Sequence, residues 1–256
     1  MANATRYQRH NEILRLLRSS QKELLVPELA QRFGVTASTI RRDLDVLESN
    51  GSILRTHGGC VSLEQAAFES EYHAKVSRNF KLKQAIGRAA AGIVFANNTI
   101  LISDGSTNFH LAASLKNASG ISVFTNSIEM INELSRNEQI GLHMLGGEYK
   151  RTVHCLGGAM TEQILETLMF DTVFLGTDGI DAKGNCLVSD PSEARIAHLM
   201  VRRGRKAVLL ADHTKVNGHG YTSYGSLADF DMWITSKGLK KSHNNRFKKM
   251  TEILEA

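Results

Sequence analysis

The stretch Val26-Pro27-Glu28-Leu29-Ala30-Gln31-Arg32-Phe33-Gly34-Val35-Thr36-Ala37-Ser38-Thr39-Ile40-Arg41-Arg42-Asp43-Leu44-Asp45-Val46-Leu47-Glu48 is punctuated as two short helices joined by a tight turn. Pro27 falls in a first helical turn, where a missing amide hydrogen costs nothing. Leu29, Ala30 and Phe33 recur at helical spacing, and Gly34 breaks the run. Thr36 can cap a second helix reaching about Ser49, where Asn50-Gly51 stops it. In that helix Ile40, Leu44 and Leu47 share one face at i, i+4, i+7. At about 100° per residue, Ser38, Arg42 and Asp45 then point the other way, flanked by Thr39 and Arg41. This is a helix-turn-helix pattern. An outer face of Ser, Thr and paired Arg suits a DNA major groove: arginine contacts guanine bidentately, while hydroxyls and the helix N-terminus hold phosphates. The plainer reading, a solvated Arg41-Arg42 pair neutralised by Asp45 or Glu48, leaves the turn and its flanks unexplained.

Those flanks extend the pattern. Residues 5–19 place Ile13, Leu14, Leu16 and Leu17 among Arg and Glu, the signature of an amphipathic helix. Ile53 to Val61 reads as two short strands around Gly58-Gly59, a small hairpin. Residues 1–61 are therefore expected to form a winged helix-turn-helix. A polar connection follows at 62–75, and a larger domain at 76–256. In the latter, short apolar runs alternate with helical stretches: Thr99–Ser103, Ile121–Thr125, Gln139–Leu145, Asp171–Leu175, Lys206–Ala211 and Asp231–Thr235. Near-continuous apolar strands separated by helices predict an α/β domain with a mostly parallel sheet covered on both faces.

The 256 residues, 42% hydrophobic and 22% charged, suffice for two globular domains. A net charge of +5 permits nucleic-acid binding without requiring it. The polar N-terminus lacks a signal-peptide core, and no apolar run nears the roughly 20 residues of a membrane span. Cys60, Cys155 and Cys186 are scattered, as in a reduced, cytoplasmic protein. The ten histidines form no HExxH word, and His213 with His219 is a weak pair, so neither a metal nor a cofactor is expected.

Ligands of open α/β sheets sit at the carboxyl ends of the strands. There the sequence repeatedly puts small polar residues: Asp104-Gly105-Ser106-Thr107, Thr125-Asn126-Ser127, Gly146-Gly147 with Lys150 and Arg151 beyond, and Gly176-Thr177-Asp178-Gly179. Helix N-termini rich in Gly, Ser and Thr favour phosphate, and Lys150 or Arg151 adds a charge-assisted contact. Asp104 and Asp178 would repel phosphate and suit sugar hydroxyls. One such turn is ordinarily just a cap; four at equivalent strand ends suggest a polyol-phosphate pocket.

Three words, Glu28-Leu29-Ala30, Thr39-Ile40-Arg41-Arg42-Asp43-Leu44 and Arg55-Thr56-His57-Gly58-Gly59, make the chain resemble the DeoR family of bacterial sugar-metabolism regulators. The resemblance continues through Phe174-Leu175-Gly176-Thr177-Asp178-Gly179-Ile180-Asp181 and Ala211-Asp212-His213-Thr214-Lys215, words similar to those of members that govern hexitol and amino-sugar use. It implies a recognition helix at Thr39–Leu44, a wing at Arg55–Gly59 carrying Arg55 and His57, and an effector domain similar to sugar-phosphate isomerases. Glu193 and Lys215 join the effector site on the same ground. The chain departs from the family at Val188-Ser189, which replaces a Thr-Thr pair. It departs again at Ala197, where the family has Lys four residues after the Glu, and in a tail with no clear final strand.

The sequence thus predicts a DNA-binding repressor of a sugar or polyol catabolic operon. Its partners are a double-stranded operator, a phosphorylated sugar or polyol, and further copies of itself, as a dimer or tetramer. DNA contacts are expected from Ser38, Thr39, Arg41, Arg42, Arg55 and His57. The alternative is a sugar-phosphate isomerase with an appended helical domain, using Asp104 as base and Lys215 as electrophile or phosphate clamp. Such an enzyme has no use for a face of Arg41 and Arg42 opposed to Ile40, Leu44 and Leu47.

Overall fold

The computed structural model describes residues 5–20, 23–50, 52–56, 58–62, 78–151 and 153–256. His57 and all of the expected connection except Ser62 and part of its far flank to residue 77 lie outside them. Contacts divide the chain into two compact units, Met1–His73 and Ala74–Ala256.

The first unit follows its apolar pattern. Helices α1 (Arg6–Ser20), α2 (Val26–Phe33) and α3 (Ala37–Ser49) bury Ile13, Leu17, Leu29, Phe33, Ile40, Leu44 and Leu47 in one core. Gly34 ends α2 in the left-handed region at φ 65°. The Thr36 hydroxyl accepts the Thr39 amide across the start of α3. Strands β2 (Ile53–Arg55) and β3 (Gly59–Ser62) pair antiparallel as the wing. A third strand that the sequence hid, β1 (Leu24–Leu25), pairs with β3 on its other side. Two residues are too few to show a period. Gly59 is required there: a Cβ would lie 2.0 Å from the Leu24 carbonyl oxygen.

The second unit begins with α4 (Phe80–Ala91). Each of the six apolar runs coincides with a strand, two of which start one or two residues earlier than expected: β4 (Thr99–Ile102), β5 (Ser122–Thr125), β6 (Gly141–Met144), β9 (Phe170–Leu175), β12 (Gly204–Leu210) and β14 (Met232–Thr235). The tail corrects the expectation of no final strand, because Glu252–Glu255 forms β15, parallel to β14. It is a short edge strand with glutamates at both ends, so no continuous apolar run betrays it. All pairings in the sheet are parallel, in the order β15-β14-β12-β9-β4-β5-β6.

Alternate residues face opposite cores. Ile100, Ile102, Phe174, Val208 and Ile234 meet α4, α5 (Ser106–Ser114) and α6 (Ile128–Leu134). Leu101, Val173, Leu175, Leu209 and Trp233 meet α7 (Ala159–Thr167), α8 (Pro191–Arg203) and α9 (Lys241–Phe247). Two small antiparallel elements sit apart from the main sheet: the hairpin β7 (Glu148–Lys150) and β8 (Cys155–Gly157), and the trio β10 (Gly179–Ile180), β11 (Asn185–Val188) and β13 (Thr222–Ser226).

Candidate functional site

On α3, Ile40 and Leu44 are fully buried, while Ser38, Arg41 and Arg42 are exposed and Thr39 is half-buried. Neither Arg41 nor Arg42 has a side-chain partner among the described residues, so the carboxylates nearby do not neutralise them. Those carboxylates serve the wing instead. Arg55 Nη1 donates to Asp45 Oδ1 at 2.8 Å and to the Arg41 carbonyl at 3.1 Å, and Glu48 Oε1 accepts the Arg55 amide at 3.0 Å. Arg55 is thus turned toward α3 and fixes the wing to that helix.

Asp43 is a residue whose role the sequence pattern concealed. It sits on α3 with a side chain only 3% exposed, facing Arg9 at 2.8 Å, His10 at 3.0 Å and Arg6 at 3.5 Å. A buried carboxylate requires such partners. Those partners all come from α1, so the cluster fixes that helix against α3. Arg6, Arg9 and His10 near the start of α1, with an acid on the apolar face of α3, were the available signal.

In the second unit the strand order reverses between β4 and β9. From β4 the sheet proceeds through β5 to β6, and from β9 through β12 and β14 to β15. The crevice of an open α/β sheet lies at such a switch point, beyond the carboxyl ends of the strands. The turns Asp104–Thr107 and Gly176–Gly179 both stand there. Gly105 has φ 119°, and a Cβ on it would meet nothing within 4 Å, so open space faces this turn.

Asn126, buried, ties the neighbouring turn to this one. Its Oδ1 accepts the Asp104 amide at 3.0 Å, and its Nδ2 donates to Asp104 Oδ1 at 3.3 Å and to the Leu156 carbonyl at 3.1 Å. Desolvation, with a smaller contribution from Asp178, pushes the Asp104 carboxyl up to about 6. Asp178 accepts from the Ser189 amide at 3.2 Å and hydroxyl at 3.1 Å, so one departure from the family pattern supports this carboxylate directly.

Other expected residues fall into distinct positions. Thr125 is fully buried, its hydroxyl directed to Met130 Sδ and accepting the Ser127 amide, which makes it a support beneath the turn. Ser106 Oγ accepts from Lys83 Nζ at 2.9 Å, and Thr107 is buried. Gly146 has room for a methyl group. Gly147, at φ 152°, does not: a Cβ would lie 2.1 Å from Thr161 Oγ1. Lys150 reaches Ser192 Oγ at 2.5 Å and Asp190 at 3.7 Å, at the start of α8, where Glu193 occupies the first turn. Arg151 is exposed and stacks over Tyr149 at 5.7 Å. The Gly176 carbonyl accepts the Tyr224 hydroxyl at 2.7 Å. Lys215, in a single 3-10 turn (His213–Lys215), has no side-chain partner among the described residues. Ala197 packs into the core one turn beyond Glu193.

Sequence reasoning missed Lys83 and Asn108. Lys83 is a buried lysine on α4 whose ammonium lies beside the Asp104–Thr107 turn. Asn108 Nδ2 braces that turn through Ser103 O, Ser103 Oγ and Asp104 O at 3.0, 2.9 and 3.1 Å. A polar residue on the apolar face of each helix was the signal. His213 Nδ1 lies 2.8 Å from Ser236 Oγ, an arrangement that needs no metal. Burial pushes the Cys60 thiol up to about 11 and Cys186 to about 12, and raises Cys155 as well, so none is a thiolate at neutral pH. No described helix is long and apolar enough to cross a membrane.

A helix-turn-helix with exposed arginines on its second helix, a wing tied to that helix, and an attached α/β unit define a DNA-binding transcription regulator. Residues 9–66 match the DeoR-like helix-turn-helix domain and residues 78–237 the DeoR C terminal sensor domain. The chain belongs to the DeoR family. It is 30% identical to the HTH-type transcriptional regulator GolR of Listeria innocua over 94% of both chains. It is also 30% identical to the glycerol-3-phosphate regulon repressor of Escherichia coli, over 89% of this chain and 90% of that one. Among solved structures, ribose 5-phosphate isomerase a from Methanocaldococcus jannaschii aligns with a TM-score of 0.40 and 17% identity, covering 54% of this chain and 55% of that one.

Proposed function

We propose that this regulator is a cytoplasmic repressor of a sugar or polyol catabolic operon, released from its operator by a phosphorylated sugar or polyol. Residues 1–61 serve as the DNA-binding domain, 62–75 as the connection and 76–256 as the sensor. Ser38, Thr39, Arg41 and Arg42 contact the operator, joined by Arg55 and His57 on the wing. A helix-turn-helix reads one half-site, so the working form is a dimer or tetramer.

The observation that carries the effector reading is the coincidence of Asp104–Thr107 and Gly176–Gly179 at the β4/β9 switch point, with Asn126 lacing the next turn to the first. The start of α5 offers amides to a phosphate, with Lys83 beside it, while Asp104 and Asp178 accept from hydroxyls. Glu193 and Lys215 complete the ligand's surroundings. The Escherichia coli relative, named for glycerol-3-phosphate, agrees with that chemistry. The unit binds its ligand without turnover.

The test is fluorescence anisotropy against DNA upstream of the gene and neighbouring operons, at near-physiological salt with competitor DNA. A panel of hexose, hexitol and amino-sugar phosphates is then added. Tight binding reversed by one compound is expected. Sequence-insensitive binding would sink the repressor reading, and turnover of a sugar phosphate by the purified chain would replace it with the enzymatic one.

A further inference from the structure

The chain's densest run of positive charge lies outside its helix-turn-helix. Residues 237–249 hold six cations (Lys237, Lys240, Lys241, Arg246, Lys248 and Lys249) and no carboxylate; taken from the net +5, they leave −1 for the rest of the sequence. All six are exposed. Arg246 donates to the Ala182 carbonyl at 2.6 Å, but none of the five lysines has an ion-pair partner among the described residues. A nearby carboxylate, Glu255 on β15, accepts from Asn244 instead, at 3.3 Å.

The backbone that carries the lysines is anchored. Lys237 and Lys240 follow the carboxyl end of β14, and Lys248 and Lys249 precede the start of the parallel β15. They therefore run along the β15 side of the sheet, over a helix about 10 Å long at 1.5 Å per residue. Phe247, fully buried against Trp233 with ring centroids 6.1 Å apart, pins that helix down. Lys240 with Lys241 and Lys248 with Lys249 are adjacent in sequence, and like charges within about a Debye length, ~8 Å at physiological salt, repel one another. An anion of matching extent relieves that repulsion.

We propose that the Lys237–Lys249 surface is a second, sequence-independent contact for the phosphate backbone of duplex DNA. Duplex DNA presents one charge per ~1.7 Å of its axis. It is also the polyanion this protein already holds through α3, which raises its local concentration beside the rest of the chain. The contact adds affinity and salt dependence on DNA longer than the operator, without changing which operator is chosen.

The test uses the full chain and its Lys237→Gln/Lys240→Gln/Lys241→Gln/Lys248→Gln/Lys249→Gln variant on two duplexes. One is trimmed to the operator and the other carries the same operator with long flanks. The wild type is expected to bind the flanked duplex about tenfold tighter at low salt. The variant should lose that advantage, and its slope of log K against log salt should fall by about 2 to 4, at ~0.9 per phosphate contact. Its Tm and its affinity for the trimmed duplex should be unchanged, and the five Lys→Arg replacements should restore wild-type behaviour. Equal affinity and slope for variant and wild type on the flanked duplex would overturn the proposal. So would competition by polyglutamate as strong as by non-operator DNA of equal charge, which would assign the surface to an acidic protein.

Discussion

At the scale of single residues, two charged side chains with opposite surroundings carry separable predictions. Arg42 is exposed and unpartnered on α3, so Arg42→Ala should lower operator affinity at least tenfold. It should move Tm by no more than a degree or two, because surface substitutions lie within about 0.5 kcal/mol; anisotropy and thermal melts read both, and unchanged affinity would remove Arg42 from the interface. Asp104 is raised to about 6 by burial. A carboxyl raised in the folded state holds its proton there after the unfolded chain has lost it, so its ionisation costs stability as pH climbs from about 4 through 6. Asp104→Asn should thus melt higher than wild type at pH 8 and at the same temperature at pH 4, while losing its effector response. Equal shifts at both pH values would mean that the carboxyl titrates normally. The exposed arginines were legible because α3 has an apolar face against which to orient them. Lys83 was overlooked, since a lysine set among Ile86 and Ala90 reads as a gap in the apolar face unless the helix's packing is known.

At the scale of elements, α3 is held from two sides, by α1 and by the wing. Asp43 draws on Arg9 and His10 of α1, while Asp45 and Glu48 hold Arg55 of the wing. Removing one member of a buried ionic cluster costs about 3 kcal/mol, because the partners are left unpaired. Asp43→Ala should therefore destabilise the first unit by that order in urea melts and weaken operator binding at temperatures where it stays folded. Loss of DNA binding without loss of stability would instead make Asp43 a direct contact. Gly59→Ala should disrupt the β1–β3 pairing at an added Cβ 2.0 Å from Leu24 O. The expected loss of hydrogen-exchange protection is confined to Leu24, Leu25 and residues 59–61, and protection left intact would show that the backbone yields. The helices and the five inner strands could be read because burial on both faces writes an uninterrupted apolar run. β1 and β15 escaped because a two-residue strand and a half-polar edge strand leave no such trace.

At the scale of the whole molecule, the two units were separable on paper through the change from helical to alternating texture. The expected site turns were legible from Gly, Ser, Thr and Asn following apolar runs. What sequence could not supply was strand order, because a run of residues does not name its neighbours. That order places β4 beside β9, two strands some 70 positions apart in the chain (Ile100 opposite Thr172). Each half of the sheet can assemble from sequential neighbours, but the join between them must close a long loop, a slow step in folding. The crevice at Asp104 and Asp178 therefore exists only once that join is made. The proposed effector crevice is thus a seam between two half-sheets, and a molecule in which that seam has not closed has nothing with which to answer an effector.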